Sequence, residues 1–388
     1  MLPNYLTVSG KTRQNDLDVT FLISMNPGAS STEAGIQDNG GGKGGRAENR
    51  QAFLTFGDAS WGSFKLGKDL GIYASDAILN DMTLLGVGAG AGSLAGNTTT
   101  LGRIGTGFMY ADWKAQVAYS SPNFNGLQFT GGVTQAWNAT AGGFGGVGSG
   151  DSAARGGNNP GFEGKVSYDF AADAVKAKVW ASGLSQKLDN IGSVKGSAAV
   201  PAVTGTVNIS DIPNPDDVDD VAELIGNGTY TITPAIAAIP AVTGVSRTAT
   251  AWDIGTSVSA AGFGLTAYYG EGKGIGQTFQ FNGGFDAAGD KRKSQQYYVQ
   301  GTYALPGVAT KLGVSYGESE LKGRGADTFS NVNDSMWVAG VYHPITKHLN
   351  LVAEYSESER DVNDAAGGTD TSATAKAKTV SLGAILFF

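Results

Sequence analysis

The sequence predicts an all-β chain, a membrane-spanning antiparallel barrel, on three observations. The first is the closing stretch, 376–388. From Lys378 onward Val380, Leu382, Ala384, Leu386 and Phe388 recur at every second position, with Thr379, Ser381 and Gly383 between them. Side chains alternate faces along a strand, so this is one strand with a continuous apolar face. Nothing after it covers its open edge, and closing a sheet into a barrel abolishes such edges.

The second observation is composition. Sixty glycines and only 16% charged residues in 388 favour strands and turns over helices. No run of about 18 apolar residues is present to form a spanning helix, and a barrel is the other structure that satisfies its backbone in lipid. A mean hydropathy of −0.12 suits strands whose inner face is wet.

The third is a series of segments with period-2 patterning. In order they are 4–12, 17–25, 50–57, 62–68, 112–121, 126–136, 162–170, 174–183, 249–259, 263–271, 294–304, 309–318, 335–343, 348–358 and 376–388, fifteen in all. Their connections alternate between short turns, such as 14–16, 122–125 and 305–307, and long loops. That alternation is expected of a barrel with tight turns at one rim and long loops at the other. Within the segments, Phe162, Val166, Tyr168 and Phe170 are expected to face lipid, with Glu163, Lys165, Ser167 and Asp169 inside. Phe263, Leu265, Ala267 and Tyr269, and likewise Leu312, Val314 and Tyr316, form further lipid-facing rows. Trp113, Tyr119, Tyr342 and Tyr355 stand near strand ends, where an interfacial aromatic girdle is expected. A soluble β-sandwich also alternates, but its loops do not alternate in length.

Several function classes are excluded. With no cysteine there are no disulfides and no thiolate metal sites. A net charge of −8 gives no basic footprint for nucleic acid. The two histidines, His343 and His348, flank one short turn away from any pocket, leaving no Ser-His-Asp set and no His-rich metal site. The Gly-rich run 40–45 lies in a loop and not between a strand and a helix, so a phosphate-binding reading fails. The chain is therefore read as no enzyme. No secretory signal follows Met1. Because single-chain bacterial barrels have even strand numbers, fifteen strands lead to the expectation of a sixteenth, amino-terminal strand, with its loop and signal peptide, missing from this sequence.

Three motifs carry a family resemblance. Asn49, Arg50, Gln51, Ala52 and Phe53 lead into Trp61, Gly62, Ser63, Phe64, Lys65, Leu66, Gly67 and Lys68. Leu101, Gly102, Arg103, Ile104 and Gly105 precede the turn from Tyr119 through Ser121, Pro122 and Phe124 to Gly126. Tyr342, His343, Pro344, Ile345, Thr346 and Lys347 form a penultimate turn, and Phe388, Leu386, Ala384 and Leu382 are similar to the terminal barrel signal of outer-membrane proteins. In this order the motifs resemble the general trimeric, sixteen-stranded porins of Gram-negative bacteria. The resemblance implies an integral outer-membrane channel for passive diffusion of ions and small hydrophilic solutes, a homotrimer, and contact with membrane lipid and outer-leaflet lipopolysaccharide. Long loops are then extracellular and short turns periplasmic.

It further implies that loop 69–111 folds inward as the constriction, with Arg50, Arg103 and Lys68 on a basic wall. The facing acids are Asp76 and Asp81, the carboxylates between Asp69 and Asp112. Opposed charges there set a transverse field that favours polar solutes. Where family members carry an acidic tip, this loop has Leu84, Leu85, Gly86, Val87 and Gly88, with no charge. That departure supports, as an alternative, a solute-selective channel.

The long insertion 184–249 contains a near-repeat, Pro201 to Gly205 and Pro240 to Gly244, around an acidic centre with Asp216, Asp217, Asp219 and Asp220. A hairpin with paired arms accounts for the symmetry. The four aspartates are either a Ca²⁺ site, without EF-hand spacing, or a solvated tip; no other cofactor is expected. A surface scaffold or receptor acting through this insertion is the third reading.

Overall fold

A computed structural model describes residues 4–27, 47–88, 101–139, 158–192, 203–207, 228–233, 243–325, 327–364 and 372–388. The strands are β1 (Leu6–Gln14), β2 (Leu17–Pro27), β3 (Ala47–Glu48), β4 (Ala52–Asp58), β5 (Gly62–Leu70), β6 (Trp113–Ser120), β7 (Leu127–Thr134), β8 (Gly161–Ala172) and β9 (Val175–Ile191). They continue with β10 (Val203–Val207), β11 (Gly228–Thr233), β12 (Val245–Ala260), β13 (Phe263–Lys273), β14 (Lys293–Ala304), β15 (Lys311–Lys322), β16 (Phe329–Pro344), β17 (Leu349–Asp364) and β18 (Ala373–Leu386). Fifteen of them pair antiparallel with their sequence neighbours in one sheet running from β1 to β18, and the two-residue β3 pairs aside with β2.

All fifteen expected segments are strands of this sheet, but several run further than their apolar pattern. β9 continues to Ile191, β16 begins at Phe329 and β17 continues to Asp364. On the outward face the extra residues are polar, such as Asn331, Asn333, Asp361 and Asn363, so the ladder of backbone bonds outlasts the alternating hydrophobic signal.

The sheet curls round a filled interior. Ile72 donates its N–H to Glu163 on β8 while Gly88, later in the same connection, donates to Glu354 on β17, at a distant place in the strand order. One connection reaches both because the sheet wraps about it. The outward rows are apolar and uncovered: Phe162, Val166, Tyr168 and Phe170 are exposed, as are Phe263, Leu265, Val314 and Tyr316. Such an apolar surface belongs in lipid. Inward partners at alternate positions, Glu163, Ser167, Ser315 and Ser319, are buried.

The aromatic rows are more regular than expected. Tyr269, Tyr316 and Tyr355 lie on the outward face and donate their hydroxyls to Glu271, Glu318 and Glu357 two residues on, and Trp337 Nε1 donates to Glu357. Apolar ring bodies with polar tips turned one way mark a membrane interface. Tyr342 corrects the expectation of a girdle position: its neighbour Val341 faces out, so Tyr342 points in, 7% exposed, and donates to Glu354.

Residues 193–244 form a separate compact unit, in which β10 and β11 make an antiparallel hairpin. The partner of Val203–Val207 is Gly228–Thr233, not the second Pro-Ala-Val-Thr-Gly segment at 240–244. Asp216, Asp217, Asp219 and Asp220 lie outside the described residues.

Candidate functional site

Two connections enter the interior. The first leaves the wall after β5 and returns at β6. Glu163 accepts the N–H groups of Ile72 and Tyr73 at 2.8 and 2.9 Å, and Ser182 on β9 accepts Ala74 at 3.2 Å. A short helix, α1 (Ser75–Leu79), follows; the Tyr298 hydroxyl on β14 donates to its Ala77 carbonyl at 2.8 Å. Gln300 then holds both sides of a turn, accepting Met82 N–H at 2.6 Å and donating to the Asn80 carbonyl at 3.0 Å. Glu354 accepts Val87 and Gly88 at 3.1 and 3.0 Å, and on the returning arm Ser319 on β15 accepts Gly107 at 3.0 Å. The wall's side chains thus satisfy backbone groups that no ladder reaches. Gly317 on β15 permits the close approach: a Cβ there would stand 2.7 Å from the Thr106 carbonyl oxygen and from Tyr298 Cβ.

The second inward connection, 274–292, was not anticipated as such. Ile275, Phe281 and Phe285 are fully covered and cluster with Tyr73 and Met109 of the first loop and Leu184, Leu188 and Ile191 of β9. Gln280 donates to the Tyr110 and Ala111 carbonyls, 3.2 Å each, and Lys114 is enclosed by Glu163 and Gln280. Arg292 makes a bidentate pair with Asp327 at 2.8 and 2.6 Å and donates to the Gly283 carbonyl. The signal was legible in kind: Phe279, Phe281 and Phe285 alternate with Gln and Gly, with no charge between Lys273 and Asp286.

The expected constriction residues occupy separate places. Asp76 is 2% exposed and its two oxygens meet Lys165 on β8 at 2.8 Å and Lys178 on β9 at 2.5 Å. Burial pushes its carboxyl up, but the two lysines together outweigh burial and hold it below the usual carboxylate range. Asp81, 4% exposed, caps the 3₁₀ turn Met82–Leu85 by accepting Thr83 N–H at 3.0 Å. Burial raises its carboxyl, and the nearby Arg103 opposes that rise. Arg103 is fully buried and donates to the carbonyls of Met336 at 2.9 Å and Thr106 at 3.2 Å. Arg50 pairs with Glu48 at 2.8 Å, its guanidinium 5.9 Å from the Trp113 ring centre and 6.0 Å from that of Tyr5. Lys68 stands in register with Ala52 and Ala115, in the row that Leu54, Leu66 and Val117 continue on the outer face.

Arg50, Lys68, Arg103, Asp76 and Asp81, expected on opposed walls, are thus spread over several places. A charge buried between loop and wall needs its own partner close by: Asp76 takes Lys165 and Lys178, while Asp81 takes Thr83 and feels the charge of Arg103 without an ion pair. Of the expected set, Asp81 and Arg103 are brought together. At the carboxy end Leu382, Leu386 and Phe388 are strongly exposed on the outward face with Ala384.

A sequence profile of Gram-negative porins matches residues 4–363. The chain belongs to the Gram-negative porin family. Among solved structures, the outer-membrane channel DcaP of Acinetobacter baumannii superposes over 100% of this chain and 85% of its own, at TM-score 0.59 and 14% identity. OmpF of Salmonella typhi, solved with daunomycin, aligns over 98% of this chain and 90% of its own, at TM-score 0.50 and 16% identity. At such identities the likeness is one of fold, the outer-membrane β-barrel. No curated protein gives a significant sequence match. The porin's function is passive diffusion of ions and small hydrophilic solutes through a water-filled channel in the outer membrane.

Proposed function

We propose that this porin is a homotrimer with long loops facing outward and short turns facing the periplasm, whose permeability is set by the connection 69–111 laid across the lumen. The observation that carries this reading is the series of wall side chains, Glu163, Ser182, Tyr298, Gln300, Ser319 and Glu354, that fasten that connection from one side of the barrel to the other. Arg103, Asp76 and Asp81 contribute by fixing the loop's path, and Arg50 by bracing the strand where it leaves the wall. Orientation rests on the aromatic row Tyr269, Tyr316, Trp337 and Tyr355, followed outward by Glu271, Glu318, Glu357 and Lys378. A charged collar just beyond aromatic rings suits the polar headgroup level of the membrane.

Liposome swelling tests the reading. Proteoliposomes should swell in isotonic arabinose faster than in a trisaccharide, at rates linear in concentration; a barrel that admits neither contradicts it. Chemical cross-linking in outer membranes should stop at three subunits.

A further inference from the structure

The two inward connections do not cover the wall evenly. On β9, β13 and β14 the inner residues Trp180, Leu184, Tyr268 and Tyr298 are buried beneath them. Along β16–β18 a cavity of about 230 Å³ stays open between the wall and both connections. Its loop side is Leu101, Ile104 and Thr106 of the first connection with Thr278 of the second; its wall side includes Asp334, Ser358, Arg360, Ala375 and Ala377. These wall residues face inward by register: Asp334 stands opposite Ser319, which holds Gly107 inside, and opposite Arg360, which in turn stands opposite Ala375. Asp334 and Arg360 form an ion pair at 3.4 Å, its side chains 14% and 23% exposed.

We propose that the solute path is off-centre, running along β16–β18, and that Asp334 and Arg360 are its specificity-determining pair. The loop side brings Thr106 and Thr278 and no charge, and the wall side carries the pair, so the wall does the sorting. The path favours compact ions, whose charged group passes the pair. Asp76 is already held by Lys165 and Lys178, and Arg103 is fully buried behind the loop, so neither stands open to a passing ion. This inference rests on the porin reading and assigns the passage within it.

The absence of native cysteine makes the test direct. Ala377→Cys and Ser358→Cys, each reconstituted in planar bilayers, are treated with a cationic methanethiosulfonate, and Val380→Cys on the outward face serves as the control. Conductance should fall by about half or more at the two inward positions and stay level at the control. In untreated channels Arg360→Gln should lower the butyrate-to-potassium permeability ratio, and Asp334→Asn should raise it, by about threefold each. Conductance that persists after modification of both inward cysteines, with the permeability ratio unchanged in both charge variants, overturns the off-centre path while leaving the porin intact. A folded wild-type barrel without conductance overturns the porin reading and this path with it.

Discussion

The Glu354 carboxylate on β17 accepts the backbone N–H of Gly88 at 3.0 Å, so a wall strand holds the far end of a connection that began at β5. The same oxygen accepts Val87, and the other takes the Tyr342 hydroxyl at 2.7 Å. Hydrogen bonds to a charged acceptor contribute about 1.5–3 kcal/mol each. Glu354→Ala therefore releases the Gly86–Gly88 segment. Single channels of this variant should show raised open-state noise and altered conductance, with Glu354→Gln between it and wild type; unchanged noise in both would show that the loop is held elsewhere.

Asp76→Asn leaves Lys165 and Lys178 facing a neutral amide. Breaking a buried pair in this way costs about 3–5 kcal/mol, and hydrogen exchange at residues 72–79 should accelerate accordingly. The depressed carboxyl fixes the sign of the pH effect. Its stabilisation is present above the ordinary aspartate value of 3.8 and is lost as pH falls through the lower folded value. Exchange corrected for its intrinsic rate should thus rise below about pH 3.8 in wild type and remain flat in Asp76→Asn.

Strand placement was legible in the sequence because lipid on one side and a packed, polar interior on the other impose a strict period of two. Phe162, Glu163, Leu265 and Val314 all face as their parity requires. The site was less legible. Asp76 and Arg103 lie in a loop, where no period says which way a side chain points, and their charges drew them into a reading of opposed walls. The structure instead pairs Asp76 locally with Lys165 and Lys178 and sets Arg103 against the Met336 and Thr106 carbonyls. The second inward connection was missed because length alone made it resemble an external loop, although its aromatic residues already asked for burial. Tyr342 was misplaced by counting aromatics near strand ends without checking parity against Val341.

The outward apolar rows make a depth-dependent claim. Leu265→Arg on β13 places a charge in lipid and should cost about 2–4 kcal/mol near the bilayer midplane, read as a lower urea midpoint for folding into vesicles. Gln300→Leu, on an inward strand, should leave vesicle insertion intact and loosen the first loop.

Arg292→Met removes the bidentate partner of Asp327 and strands a nearly buried carboxylate, at about 3–5 kcal/mol. The second connection should become protease-sensitive between 274 and 292 while the barrel remains folded in detergent. Protection equal to wild type would mean that its apolar cluster with Tyr73 and Leu188 suffices to hold it.

The most direct measurement is single-channel current in a planar bilayer, in potassium chloride over a range of concentrations. A water-filled diffusion channel requires discrete steps, a linear current–voltage relation and conductance proportional to salt. A folded, inserted barrel that passes no current, or one whose current saturates at millimolar salt, would contradict passive diffusion.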